Sequence, residues 1–167
     1  MVQALAQRGI ENVTVEAPVV VAPQTRRRAA LKAIKQNGET KVGFNARQSH
    51  AVADMHECHV LTPELFVAVG KLRVLMHAIL REGEQAELHL TEADNGFDLS
   101  LRMKRAGTPA VAAQIAQGAA QIGLIRVTAG AEPLAEFEAP RLKIANADVR
   151  LPPEPFLQAT AESERFL

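Results

Sequence analysis

The stretch QAELHLTEADNGFDLSLRMK, residues 85–104, constrains the fold more than any other part of the chain. Ala86, Leu88 and Leu90 alternate with Glu87, His89 and Thr91; beyond Asp94-Asn95-Gly96, Phe97, Leu99, Leu101 and Met103 alternate with Asp98, Ser100 and Arg102. Successive side chains of a strand point to opposite faces, and Asn-Gly is the strongest short signal for a tight antiparallel reversal. The expectation is a hairpin with one apolar and one polar face. His89 falls on the polar face and is expected to meet solvent.

An apolar sheet face needs a cover, and two helices are available to provide it. Thr62 suits an N-cap and Pro63 the first helical position. Leu65, Val69, Leu72, Met76 and Ile79 then recur at spacings of four, three, four and three, one buried stripe of a helix ending near Gly83. His77 lies beside that stripe and reads as structural. Thr108-Pro109 opens a second helix, with Val111, Ile115 and Ile122 inward and Gly123 at its end.

Elsewhere the signals are shorter. RRRAALKAIKQNGETKVGF reads as a helix stopping at Gly38 or as a hairpin turning at Asn37-Gly38; the return run Val42-Gly43-Phe44 favours the hairpin. LIRVTAG and LAEFEA read as strands, and RLKIANADVRL as a short hairpin. Residues 2–9 carry a short helical pattern, and TVEAPVVVAP is extended. Near Thr160 a final helical pattern begins that meets no Gly, Asn or Pro, as expected of a truncated chain or of a frayed native terminus. The fold class expected is α+β, an antiparallel sheet of hairpins with two packed helices. The expected division is an N-terminal helix and extended segment over 1–22, a central α+β domain over 23–152, and the start of another domain over 153–167.

Composition excludes several classes. One core fits in 167 residues, and a single cysteine forbids an internal disulfide framework. That cysteine fits a reducing, cytoplasmic setting. MVQALAQRGIENV lacks the basic and apolar regions of a secretory signal, and no run approaches a membrane span. The net charge of zero hides an asymmetry: seven basic residues and one acidic between Gln24 and His50, then nine acidic and three basic between Ala51 and Ser100. Such a layout steers a polyanion to one face, or is simply a solvated surface. No G-x-G pair, P-loop, G-x-S-x-G, H-E-x-x-H or C-x-x-C occurs, so cofactor binding by a glycine-rich turn is not expected here.

The solitary Cys58 sits between His56 and His59. A tetrahedral zinc site needs about four ligands and adjacent residues rarely share one ion. A nucleophilic thiol needs a paired base, for which only His56 is at hand. A small buried hydrophobe is the third reading.

The order RRRAALKA, NG, VGFNARQSHAVADMHECHVLTPELF and LPPEPFLQATAE resembles the middle of the RNA (uracil-5-)-methyltransferases, most nearly the iron–sulfur-containing branch that acts on 23S ribosomal RNA. The resemblance covers nearly the whole chain, up to the threshold of the catalytic domain. It implies that Cys58 is the last of four cysteines holding a 4Fe-4S cluster, the other three lying upstream; this chain has His59 where the family commonly has proline. It implies that Phe156 and Gln158 match an F-x-Q motif lining the pocket for a flipped-out uracil, where a ring stacks on the base and a carboxamide reads its edge. Arg26, Arg27, Arg28, Lys32 and Lys41 become candidate phosphate contacts to RNA, ribosomal RNA above all. The catalytic cysteine, the glutamate base and the S-adenosylmethionine loop of the family have no counterpart here. The resemblance therefore implies a non-catalytic piece of a methyltransferase, with S-adenosylmethionine and the cluster belonging to the intact enzyme and neither bound by this chain alone. The other expectation is a self-contained RNA- or protein-binding α+β module that keeps the domain without the enzyme; a zinc-binding regulatory domain is a third.

Overall fold

Asn37 and Gly38 both have left-handed backbones, with φ of 54° and 76°. Two successive left-handed residues make the turn whose twist matches a pair of antiparallel strands, so the ambiguous basic segment is a hairpin: β1 (Arg28–Gln36) against β2 (Glu39–Asn45). The structure, a computed structural model, describes residues 2–10, 13–14, 17–46, 49 and 51–165. A three-residue strand, β3 (Val52–Asp54), edges β2.

Helix α2 (Pro63–Ile79) carries the chain to β4 (Gln85–Ala93), which pairs antiparallel with β1. The Thr62 hydroxyl accepts from the Leu65 N–H, the N-cap expected of it. The helix ends at Ile79, earlier than the expected Gly83, because Leu80 is already extended and buried; Gly83, at φ 76°, instead serves the turn into β4. His77 stands outside the stripe, its Nδ1 3.1 Å from the Thr40 hydroxyl on β2.

The central hairpin continues into β5 (Gly96–Arg102), with Ala93 opposite Gly96 and Leu90 opposite Leu99. Helix α3 (Pro109–Ile122) follows, capped by Thr108 and closed by left-handed Gly123. Next comes β6 (Leu124–Ala129), parallel to β5, a correction to the all-antiparallel expectation. Gly96 makes this pairing possible. A Cβ there would lie 2.6 Å from Ile125 Cγ2 and 3.0 Å from the Gly123 carbonyl. The glycine read as part of the turn is needed for close approach of β6; the turn itself is Asp94-Asn95. Strand β7 (Glu132–Glu136) then pairs antiparallel with β6, starting two residues before the expected LAEFEA. The sheet order is β3-β2-β1-β4-β5-β6-β7.

Both helices pack on one face. Leu65, Leu72 and Met76 of α2 and Val111 and Ile115 of α3 join Leu31, Leu88, Leu90, Leu99 and Leu101 in one continuous core. The other face is also covered, by the chain beyond β7. A separate hairpin, β8 (Arg141–Ile144) and β9 (Ala147–Arg150), is pinned to the β4–β5 turn: Asp94 accepts from the Lys143 N–H at 2.7 Å, and Asn95 accepts from the Arg141 N–H at 3.0 Å while donating to the Ala139 carbonyl. Leu142, Leu151 and Leu157 gather over Ala93 in a second, smaller cluster. Short helices α1 (Val2–Ala6) and α4 (Ala161–Arg165) lie at the two ends; Phe166 and Leu167 of the expected terminal helix are outside the described residues, as are Val15 and Glu16 of the extended segment. No helix among the described residues is long and apolar enough to cross a membrane.

Candidate nucleic-acid interface

Residues 151–160 form a strap across the sheet face opposite the helices. Alternation along extended backbone decides which side chains it presents. Leu157 points inward and is buried, while its neighbour Phe156 is 86% exposed, the most exposed aromatic ring on the molecule apart from any in the undescribed residues. Gln158 is half-buried beside it. An exposed ring of this size has no packing role, in contrast to Phe97, which packs against the core.

The strap is held through its backbone and one acid. Arg28 Nη1 donates to the Leu157 carbonyl at 2.7 Å, and the Arg27 N–H donates to the Ala159 carbonyl at 2.9 Å. Arg27 also forms an ion pair with Glu164. Glu154 accepts from Ser100 at 2.7 Å and from both Arg102 Nε and Nη2. Arg126, on β6, donates to both oxygens of Asp98 and to the carbonyls of Leu151 and Pro152. Asp98, Ser100 and Arg126, in positions that alternation would send to solvent, are therefore buried at 5%, 5% and 2% exposure. His89 differs from expectation in the same way. It is half-buried between two hollows of about 210 and 180 Å³, one on each side of the strap, both also lined by Arg28 and Thr91.

The loop carrying Cys58 meets this strap at the start of β1. The Gln24 N–H donates to His59, the Arg26 N–H to Val60 and the Thr62 N–H to Arg26, each at 3.0 Å. Arg26 bridges Leu61 on one side and Thr160 on the other. Three segments far apart in sequence, each carrying residues singled out above, are thus stitched together. Arg26 is exposed with only its Nε engaged, on the Arg28 carbonyl. Arg27 and Arg28 are half-buried: Arg28 donates to the Leu157 carbonyl, while the Arg27 guanidinium pairs with Glu164 and its buried Nε has no hydrogen-bond partner among the described residues. Lys32 and Lys41 lie farther along the same sheet face, Lys41 exposed and Lys32 3.8 Å from Glu87.

Cys58 is half-buried against the main core, its Sγ accepting from the Leu61 N–H at 3.4 Å. His56 pairs with Asp54 and His59 with Glu57, each at 2.9 Å, so both imidazoles are engaged by carboxylates. Among the described residues no three His, Cys, Asp or Glu side chains converge as metal ligands. A 4Fe-4S cluster takes four thiolates. This chain supplies one, so its own residues do not fit a complete cluster. Beside Cys58, burial pushes the Asp54 carboxyl up, but hydrogen bonds from the Val42 N–H and Arg73 outweigh it and leave the group below its usual range.

Glu154 is held below the usual carboxylate range first by its hydrogen bonds from Arg102, then by that from Ser100. A depressed acid contributes attachment that is complete above the ordinary glutamate range and is lost as pH falls through the folded value. The strap should therefore loosen on acidification below that range. Exchange of the Arg27 amide, which donates to the strap at the Ala159 carbonyl, should rise there before exchange in β4 does, and Glu154→Gln should remove the acid-dependent part.

Sequence reasoning missed Arg126, Asp98, Ser100 and Glu154. The available signal was a lone arginine inside the apolar run LIRV, which needs a buried partner.

No family model matches the chain. It is 31% identical over 99% of its length to a protein of Zymomonas mobilis named an uncharacterized RNA methyltransferase, covering 43% of that protein. It is 32% identical over its whole length to a Brucella suis protein of the same description, covering 40%. A 23S rRNA (uracil-C5)-methyltransferase of Alcanivorax borkumensis is 29% identical over 47% of the chain, covering 18% of that enzyme. The chain thus resembles RNA methyltransferases from end to end while spanning about two-fifths of the length of the first two.

Proposed function

We propose that this chain is the central, RNA-contacting part of a cytoplasmic S-adenosylmethionine-dependent RNA (uracil-5-)-methyltransferase acting on ribosomal RNA, and that it does not transfer methyl groups alone. The observation that carries the reading is the strap: Leu157 is clamped inward while Phe156 is held out, ring exposed, with Gln158 at its side. A ring fixed this way is a platform for an unstacked base, and the carboxamide two residues on can donate to and accept from a uracil edge. In this reading residues 23–152 are the supporting domain, 153–167 open the catalytic domain, and 1–22 pack against that domain. Arg26, Lys32 and Lys41 meet phosphates on the approach to the strap. Arg27 and Arg28, also expected to do so, act chiefly by holding it. In this reading Cys58 supplies one of four thiolates to a 4Fe-4S cluster of the iron–sulfur branch, the remaining ligands lying elsewhere in the polypeptide.

The test uses the longer polypeptide in which this segment sits beside a methyltransferase domain. Phe156→Ala should lower kcat/KM for transfer to uridine by roughly tenfold to a hundredfold, the worth of one base–aromatic stack, with the fold intact by circular dichroism. Unchanged transfer would make Phe156 an ordinary surface residue and remove the basis of the reading.

A further inference from the structure

Arg28, Arg102 and Arg126 each donate from the sheet to an acceptor on the strap, and Arg126 is wholly enclosed. Arg126 is 2% exposed. Its Nε and Nη2 form a two-pronged pair with Asp98 at 2.9 and 2.7 Å, and its Nη1 and Nη2 reach the Leu151 and Pro152 carbonyls at 2.9 and 2.8 Å. Neutralising Asp98 needs only a positive charge. Reaching two consecutive carbonyls at the same time needs the planar fork of a guanidinium. The buried arginine thus does something on the strap that the ion pair alone does not explain. The two carbonyls lie four and five residues before Phe156, and the clamps of Glu154 and of the Leu157 carbonyl follow in the same direction. The strap's register is set first where Arg126 grips it.

We propose that Arg126, aimed by Asp98, is a positioning residue for the Phe156–Gln158 segment: it fixes where the strap enters the sheet face, and thereby where the base platform stands. This rests on the reading of Phe156 given above. Arg126 is fully enclosed and touches no RNA. It acts through Leu151 and Pro152, with Glu154 on Ser100 and Arg102 as a second, more exposed clamp.

Arg126→Lys is the informative variant, because it keeps the charge opposite Asp98 and loses the fork. In this chain, exchange of the Arg27 amide, which donates to the Ala159 carbonyl, and of the Leu151 amide, which donates to the Pro140 carbonyl, should rise roughly tenfold to a hundredfold, the effect of losing one charge-assisted hydrogen bond, while the amides of Leu88 and Leu90 stay protected. In the longer polypeptide, kcat for uridine methylation should fall about a hundredfold, the usual consequence of a misplacement near 1 Å, with KM for RNA little changed. A lysine that restores both strap protection and kcat would reduce Arg126 to neutralising Asp98 and overturn the proposal; so would a loosened strap with full kcat. Phe156→Ala, run in parallel, separates the two readings. If it leaves kcat/KM unchanged, the base-platform reading fails; if it lowers kcat/KM and Arg126→Lys leaves kcat unchanged, the positioning role fails. Should Arg126→Lys not fold, Glu154→Gln loosens the same strap from its exposed clamp and must move exchange and kcat in the same directions, by smaller factors; no movement in either overturns the proposal.

Discussion

Asp98→Ala destabilises the folded chain by about 3–5 kcal/mol, the cost of stranding one member of a buried ion pair. The Arg126 guanidinium stays in place, with its side chain 3% exposed, and keeps only the two carbonyls. For a chain of this size each kcal/mol moves the melting temperature by about 2–4 °C, so a fall of roughly 6–20 °C is expected by calorimetry. The double substitution Asp98→Leu with Arg126→Met should recover most of that loss, since an apolar pair of similar volume is often as stable as the ions it replaces. It should not recover the strap, because Leu151 and Pro152 would still lack their donor. A double variant that melts near the wild-type temperature yet exchanges freely at the Arg27 and Leu151 amides would separate what the pair contributes to stability from what it contributes to geometry. A double variant as unstable as Asp98→Ala would show that the ions are needed for folding itself.

The second large effect lies on the other face. Leu72 is fully buried at the centre of α2, in the core shared with Leu88 and Leu90. Leu72→Ala removes buried methylenes and leaves a cavity between helix and sheet, with an expected loss of about 2–5 kcal/mol. Urea unfolding should show a lower midpoint with the slope unchanged. The strap should keep its contacts until global unfolding, since none of its anchors touches α2. A loss below about 1 kcal/mol would mean that this core collapses around the gap.

The face under the helices was the legible one. Leu65, Val69, Leu72, Met76 and Ile79 announce a helix by spacing alone, and Thr62-Pro63 and Thr108-Pro109 mark both helix starts. Asn37-Gly38 and the 85–104 alternation give two hairpins, because turn chemistry and period-two patterning are local. The face under the strap was not legible. Asp98, Ser100 and Arg102 look like the solvated side of a hairpin, and their partners Arg126 and Glu154 stand 28 to 54 positions away. Local pattern carries no information at that separation. The parallel pairing of β5 and β6 was hidden for a related reason, since Gly96 follows Asn95 and so reads as a turn residue. The candidate site itself came from likeness to a family; chemistry alone gave no reason to prefer Phe156 over Phe137, which is also well exposed.

The Arg28-to-Leu157 bond spans 129 positions, and the Arg27–Glu164 ion pair spans more. Contacts of such span are entropically the last to form, because closing the longest loop gains nothing until the elements between are in place. On a ribosome the seven strands and both long helices can assemble while residues 151–160 are still in the exit tunnel. Until they emerge, Asp98 and Arg126 face water as an ordinary surface pair. The enclosed ion pair is therefore a product of the final closing step, and the outward-held Phe156 ring marks a sheet whose folding is complete.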